Sequence, residues 1–500
     1  AQTFYFAKMV CINQLKRQRG HRRGSWFYHV NDGFHYHKNC RKKGVVYFKC
    51  VHYETGCRGR ALCDRRRGFI HTALHDVCKR DRYFPLVRQL RSRILMRCRR
   101  LELKTFRQIL TEESARFPIR VQARVRMSNM RSAMQRARLS VLPPPPQTLR
   151  GLSDILQNPR YRITTQTPDG RDNIYARSVT AADGSHHIIF LSQRMARVMK
   201  RMVILFGDGT FKSLPAMEGL NNDASQVFAL VANWDHTIIP LGWVLMERRT
   251  EAAYTAVLRE IRNLVGNFPN LNRFISDFEL AIRNSVAEVF PGVSLQGCFF
   301  HLFRAYIRYA KVDLGMFQYL RRHPYERLIK LCCALPLLPL NHIQRGFFLI
   351  LRQARQAGHR VYNVMRPFFS YVWRNWVGNR LWCEWMCVFG SFHRTNNTCE
   401  SHNRVLNNYV GVRHPNIYHF IVALLALEAS AYADAVALFM GNPPNRGRRL
   451  RSIALDRRLR HLARGFENPP DDINDVILRY LEGALHSFDR AYDRAVDEVQ

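Results

Sequence analysis

Three apolar runs of strand length, residues 202–211, 226–235 and 238–247, follow one another with only short connections. Sequential strands joined this way lie side by side, so the runs predict an antiparallel meander. The period then changes. Residues 250–266 read as an amphipathic helix capped by Thr250, with Glu251 in its first turn. A fourth strand at 273–277, a second helix ending near Phe290 and a fifth strand at 293–300 follow. A meander followed by alternating helix and strand predicts an α/β fold, a mixed sheet with helices on its faces. Residues 302 to about 390 read as helical, with Trp373, Trp376, Trp382 and Trp385 near their end. Residues 413–500 are helical again, interrupted by the loop GNPPNRGRR at 441–449.

Four consecutive prolines at 143–146 can continue neither helix nor sheet, so 143–199 reads as a stiff spacer and lead-in. Residues 25–80 ahead of it are rich in Cys, His and aromatics, with strand-like runs such as GVVYFKC. Residues 81–142 carry helical periodicity at Leu86, Leu90, Ile94 and Leu95, then at Phe106, Ile109 and Leu110, between Arg-rich faces. Three short basic helices of this kind predict a helix-turn-helix-like module.

Charge is concentrated in that front end. The first 150 residues hold 35 basic and 8 acidic side chains, 35 − 8 = +27 of the chain's net +40. So basic a segment predicts a polyanion-binding arm, with nucleic acid as the partner. At 500 residues and 47% hydrophobic, the chain has ample material for a core, which excludes disorder throughout. The start lacks a continuous apolar signal-peptide core and the 13 cysteines are an odd number, so a reducing compartment and metal ligation are expected rather than disulfides. The longest apolar stretch, 421–440, is broken by Glu428 and Asp434 and predicts a packed helix, not a membrane span.

Three acids stand where chemistry is plausible. Asp208 ends the first apolar run in MVILFGDGTF, Asp277 sits in RFISDFELAIRNSV where strand gives way to helix, and Glu400 opens a helix in FHRTNNTCESHNRVLNNY. Each has a structural alternative: an Asp-Gly hairpin turn, a helix cap shared with Ser276, and a capping-box variant between Asn397 and Glu400. Parallel neighbouring strands would, however, bring Asp208 and Asp277 together, where carboxylates repel unless protonated or bridged by a cation. Mg²⁺ and Mn²⁺ prefer oxygen ligands, and two such ions can hold the attacking and leaving oxygens of a phosphodiester. The spacing 400 − 277 = 123 is too long for a simple connection, which makes 302–390 an insertion before a last catalytic helix at 391–412, with the core at 200–301.

The motifs FGDGTFKSLP, ISDFELAI, GCFFH and TNNTCESHN resemble, in order and spacing, the catalytic domain of Mutator-like element (MULE) transposases, over residues 200 to 411. That resemblance implies a ribonuclease-H-like fold and an Asp-Asp-Glu triad, here Asp208, Asp277 and Glu400, holding Mg²⁺ or Mn²⁺. The family's Cys-x-x-His element maps onto Cys298 and His301. His301 would contact the scissile phosphate or orient a metal ligand, with a plain core role for both residues the alternative.

At the front, Cys50 and Cys57 are separated by six residues, His75 follows after seventeen more, and Cys78 lies three positions further on. Zn²⁺ takes four nitrogen or sulfur ligands in a tetrahedron, and two half-sites would supply them. The run VNDGFHYHKNCRKKGVVYFKC with ALHDVC resembles the FLYWCH-type zinc finger, with Phe34, Tyr36 and the Tyr47-Phe48 pair in its pattern. Phe48 stands where that family has Trp, and the ending is His-x-x-Cys rather than His-x-His. Cys78 is accordingly the fourth ligand chosen, with His71 or Cys63 as alternatives. Such fingers bind DNA or partner proteins, and Arg58, Arg60, Arg65, Arg66 and Arg67 would contact phosphates.

The expectation is a nuclear, metal-dependent transposase that binds transposon ends in double-stranded DNA, cuts a strand at each end and joins it to target DNA. Holding two ends calls for a homo-oligomer. The rival is a domesticated, non-catalytic DNA-binding regulator; a general ribonuclease-H-like nuclease is a weaker third reading.

Overall fold

A computed structural model describes residues 15–19, 26–30, 32–64, 67–100, 104–221, 223–442, 450–467, 472–485 and 488–498. Two compact units divide the chain, Ala1–Leu142 and Pro143–Gln500, the break falling at the first of the four prolines.

Among its described residues the first unit has six strands, β1 (Lys16–Arg19), β2 (Trp26–His29), β3 (His35–Lys42), β4 (Val45–Cys50), β5 (Arg60–Asp64) and β6 (Gly68–Ala73). They pair in sequence order as an antiparallel sheet. Its core is small, built from Val30, Tyr36, Phe48, Ala61, Cys63 and Phe69. Among the described residues four helices follow rather than three: α1 (Phe84–Arg99), α2 (Phe106–Ser114), the single turn α3 (Ile119–Gln122) and α4 (Met127–Leu139). Thr105 caps α2 in a capping box with Gln108. Leu90, Ile94, Ile109, Val121, Met130 and Met134 form one core, and the buried Glu113 is held by Arg93 at 2.8 Å and Arg97 at 3.3 Å.

Among its described residues the second unit holds seven strands. β7 (Tyr175–Thr180), β8 (His186–Phe190), β9 (Ile204–Thr210), β10 (Gln226–Trp234), β11 (Thr237–Met246), β12 (Arg273–Ser276) and β13 (Ser294–Gly297) lie in the order β13-β12-β9-β10-β11-β8-β7. β12 is parallel to both β9 and β13; the other pairs are antiparallel. The sheet is therefore mixed, as the sequence predicts. Beyond the prolines, the stretch 143–199 is more than a spacer and lead-in. It carries α5 (Leu149–Gln157), the β7–β8 hairpin at the sheet edge and α6 (Gln193–Met199). The fifth strand is also shorter than read: it stops at Gly297, and α9 (Phe299–Arg308) takes Phe299 and Phe300 into a helix.

Alternate strand residues face two layers. Leu205, Phe228 and Leu230 join Val257 and Leu258 of α7 (Glu251–Val265) and Val286 of α8 (Leu280–Val289) in one core. The opposite face carries Asp208 and Trp243 and meets α14 (Asn397–Val410), where Trp243 Nε1–H donates to His402 Nε2 at 2.9 Å. In chain order α10 (Tyr325–Ala334), α11 (Ile343–Gln356), α12 (His359–Val372) and α13 (Arg380–Met386) run between α9 and α14 and pack around a core of their own. Their core is completed by the C-terminal helices α16 (Leu450–Ala463), α17 (Ile473–Leu485) and α18 (Asp489–Glu498), through Leu459, Ile477, Tyr480 and Tyr492.

α15 (Ile417–Phe439) is long and apolar enough, by length and composition, to cross a membrane. Its packing accounts for that composition. Phe420, Leu424 and Ala431 are buried, and Glu428 pairs with Arg194 at 2.5 Å and accepts from Ser192 Oγ. Most of the loop expected at 441–449 lies outside the described residues.

Candidate active site and metal-binding cluster

Asp208 lies inside β9, not in a turn: the strand runs on to Thr210, and Asp208 pairs with Ala229 of β10. Gly207 and Gly209 on either side permit this. A Cβ at Gly207 would stand 2.7 Å from the Phe274 ring, and one at Gly209 would stand 1.8 Å from Gln226 Oε1. Close packing on one face of the strand thus requires glycine twice and leaves Asp208 to project from the other. In the parallel register Ile275 sits beside Phe206. Asp277 and Asp208 each lie two residues further on, so the two acids emerge side by side.

The capping alternatives also fail. α8 starts after Glu279 with no side chain capping it, so Asp277 is not its cap. Asn397 is already helical in α14, and the N-cap Asn396 makes no side-chain capping bond, so no capping box engages Glu400. Asn396 reaches across instead. Its backbone N–H donates to Cys298 Sγ at 3.1 Å, and its Nδ2 lies 3.3 Å from both Asp277 Oδ1 and the Gly207 carbonyl. Asn403 Nδ2–H donates to Asp208 Oδ2 at 2.8 Å. These asparagines stand four residues before and three after Glu400, on the same face of the helix. From sequence, Asn396, Asn397 and Asn403 read as capping and orienting the helix that carries Glu400; the spacing of Asn396 and Asn403 about Glu400 is the only local signal of their partners on the sheet.

His301 closes the site. Its Nδ1 lies 2.8 Å from Asp277 Oδ1, off the line of a hydrogen bond, and its Nε2 lies 3.8 Å from Glu400 Oε1. Burial disfavours a charged imidazole here, but Asp277 and Cys298 outweigh it and lift the pKa to about 11. Asp208 is pushed up to about 7, by burial first and then by the charge of Asp277, with Glu400 adding to the effect. A carboxylate whose ionised form is disfavoured by burial and by two neighbouring acids belongs to a donor set for a divalent cation, and hard oxygen ligands suit Mg²⁺ or Mn²⁺. Asp277, Cys298 and His301 also place ligand atoms within 4.8 Å of one another. The buried Cys298 thiol is the soft member of that group and already accepts from Asn396. The side chains of His301, Asp277 and Glu400 are 31%, 33% and 34% exposed, which leaves the site open to a polymer.

In the first unit Cys50, Cys57, His75 and Cys78 converge, their ligand atoms all within 4.8 Å. Cys50 and Cys57 Sγ lie 3.6 and 3.5 Å from Cys78 Sγ, and His75 Nδ1 lies 3.1 Å from Cys78 Sγ. A tetrahedron with bonds of about 2.3 Å has edges near 3.8 Å, so this cluster could hold a zinc ion with little adjustment. The alternatives for the fourth position are engaged elsewhere: Cys63 in the sheet core, and His71 Nε2 3.1 Å from Asp32. Of the arginines expected on DNA, Arg58 is exposed beside Asp76, and Arg67 is exposed. Arg60 folds back to donate to the carbonyls of Cys57 and Gly59. Arg65 and Arg66 lie outside the described residues.

With this geometry in place, one comparison with protein families bears on the site. Residues 204–305 match the model of the MULE transposase domain. The MULE match contains Asp208, Asp277, Cys298 and His301 and ends before Glu400, consistent with a helical insertion separating the last acid from the rest. It supports a transposase of the MULE family. A search of curated proteins returns no match.

Proposed function

We propose that the protein is a DDE-type DNA transposase with a ribonuclease-H-like core, cutting and joining DNA at transposon ends. The observation that carries this reading is the convergence of Asp208, Asp277 and Glu400 from two parallel strands and a facing helix, with two of them inside the MULE-matched segment. These acids would hold Mg²⁺ or Mn²⁺, which when bound activates the attacking oxygen and neutralises the leaving one. The chain's own residues fix that arrangement. Asn403 orients the Asp208 carboxylate, Asn396 ties Asp277 to the helix of Glu400, and His301 places a positive charge between Asp277 and Glu400. In the first step a water oxygen bonds to phosphorus, the bond from phosphorus to the 3′ oxygen breaks, and that oxygen takes a proton. In the second, the freed 3′-hydroxyl attacks a target phosphodiester and releases the target's own 3′-hydroxyl.

The first unit supplies recognition in this reading. A zinc ion at Cys50, Cys57, His75 and Cys78 would stabilise a FLYWCH-type module too small to fold on its core alone. The basic helices α1–α4 would grip the duplex, and two copies would hold two ends, in the nucleus.

The test uses purified protein, Mg²⁺ or Mn²⁺, and DNA from both flanks of its own gene, beside Asp277→Asn. Site-specific, metal-dependent nicking and joining, lost in the variant, is the expected result. Tight binding without cleavage by the native chain would favour a domesticated regulator; cleavage without joining would favour a plain nuclease.

A further inference from the structure

The sulfur–nitrogen cluster of the first unit is backed by a hydrogen-bonded chain. Tyr36, fully buried on β3, places its hydroxyl 3.0 Å from Asp32 Oδ2 and 3.0 Å from His75 Nε2. His71 Nε2 lies 3.1 Å from the same carboxylate oxygen, and His71 Nδ1 lies 3.3 Å from the same hydroxyl. A hydroxyl has one hydrogen, and an ionised carboxylate can only accept. The two contacts are equally short, but a carboxylate cannot donate and a histidine nitrogen can, so the Tyr36 hydrogen goes to Asp32 and the Tyr36 oxygen accepts from His75 Nε2–H. This leaves the His75 lone pair on Nδ1, the atom that sits 3.1 Å from Cys78 Sγ and 3.4 Å from Cys57 Sγ. Packing fixes the ring as well. Phe34 stacks on it at 3.7 Å with 6° between the planes, and a Cβ at Gly59 would stand 2.5 Å from it.

We propose that Asp32 and Tyr36 form the outer shell of this metal centre, a carboxylate–phenol–imidazole relay that holds His75 in its Nε2–H tautomer and presents Nδ1 to the ion. The inference rests on reading the cluster as a metal centre. Asp32 and Tyr36 are positioning residues: they touch no metal, and they act by aligning the imidazole and raising its basicity. His71 serves the same carboxylate rather than the ion.

The test titrates the full chain with Zn²⁺, and with Co²⁺ as a spectroscopic probe, against a chelator of known affinity. The native chain should give the Co²⁺ spectrum of a site with three thiolates and one nitrogen. Tyr36→Phe keeps the ring packing and should weaken binding about 10- to 100-fold, with Asp32→Asn moving the same way. In a His75→Cys background no imidazole remains to be held, so adding Tyr36→Phe should change affinity by less than about twofold. Native affinity in Tyr36→Phe overturns the relay, as does an equal loss in both backgrounds, which would mark a role in packing alone. A native chain that binds neither ion overturns the metal centre itself.

Discussion

Asn403, on the helix that carries Glu400, donates a 2.8 Å hydrogen bond to Oδ2 of Asp208 on the central strand. Asn396, one turn before Glu400, makes the matching reach to Asp277 and to the Gly207 carbonyl. The last acid is thus registered against the first two by amides on its own helix face. Removing the Asn403 donor should free the Asp208 carboxylate to turn. Asn403→Ala is expected to weaken Mn²⁺ binding about tenfold, the worth of one charge-assisted hydrogen bond. Asn403→Asp should be worse, because it adds a fourth carboxylate. Isothermal titration of the DNA-free protein checks both.

The same acids set a pH dependence. Asp208 rises from 3.8 to about 7 in the fold, so its contribution to stability is greatest below pH 3.8 and falls as the pH climbs through 7. His301 rises from 6.5 to about 11, so its contribution is complete below pH 6.5 and is lost toward pH 11. Both slopes run downward with pH. A divalent cation offsets the carboxylate repulsion, so Mn²⁺ should raise the melting temperature more at pH 8 than at pH 5. In Asp208→Asn that pH difference should shrink. Thermal unfolding at the two pH values, with and without Mn²⁺, is the measurement.

Gly209 tests the packing under Asp208. Its missing Cβ leaves room for Gln226 Oε1, which in turn sits in a buried contact with Tyr254: Gln226 Nε2–H donates to the Tyr254 hydroxyl at 2.5 Å. Gly209→Ala should destabilise the protein by about 1–3 kcal/mol through overpacking. Metal binding should weaken alongside, because Asp208 is the next residue. Denaturant unfolding together with Mn²⁺ titration separates the two effects.

Much of this architecture is legible in the sequence. β9 to β13 and the Thr250-capped helix follow from apolar runs whose period switches from two to 3.6. The Cys and His ligands of the first unit show in their spacing. What escaped depended on distant partners. The strand through Asp208-Gly209 carries a hairpin signature, and the Phe274 and Gln226 side chains that override it are far along the chain. β7 reads as YARSVT, too polar to stand out, because it is an edge strand paired on one side only. That Tyr480 and Tyr492 of the C-terminal helices complete the core of the insertion is not legible locally, since Tyr480 meets Phe389 and Tyr492 donates to the Leu320 carbonyl 172 residues away. Asn403 reads from sequence as orienting the Glu400 helix; its bond to Asp208 depends on the register of α14 on the sheet, which is a tertiary property.

Glu428 explains how so apolar a helix as α15 belongs to a folded core. It is 1% exposed and held by Arg194 and Ser192. Glu428→Leu alone should cost about 3–5 kcal/mol by leaving Arg194 without its buried partner. The double variant with Arg194→Met should recover much of that loss. Chemical denaturation of the two variants decides it.

The central claim is that Asp208, Asp277 and Glu400 act as one metal-binding set. Its most direct test is a Mn²⁺-dependent cleavage assay on end DNA with Asp208→Asn, Asp277→Asn and Glu400→Gln compared side by side, DNA affinity being measured in parallel. The account predicts that each variant binds DNA as the native chain does and loses about 10²- to 10³-fold or more in cleavage rate. A native rate in any one of the three would contradict it.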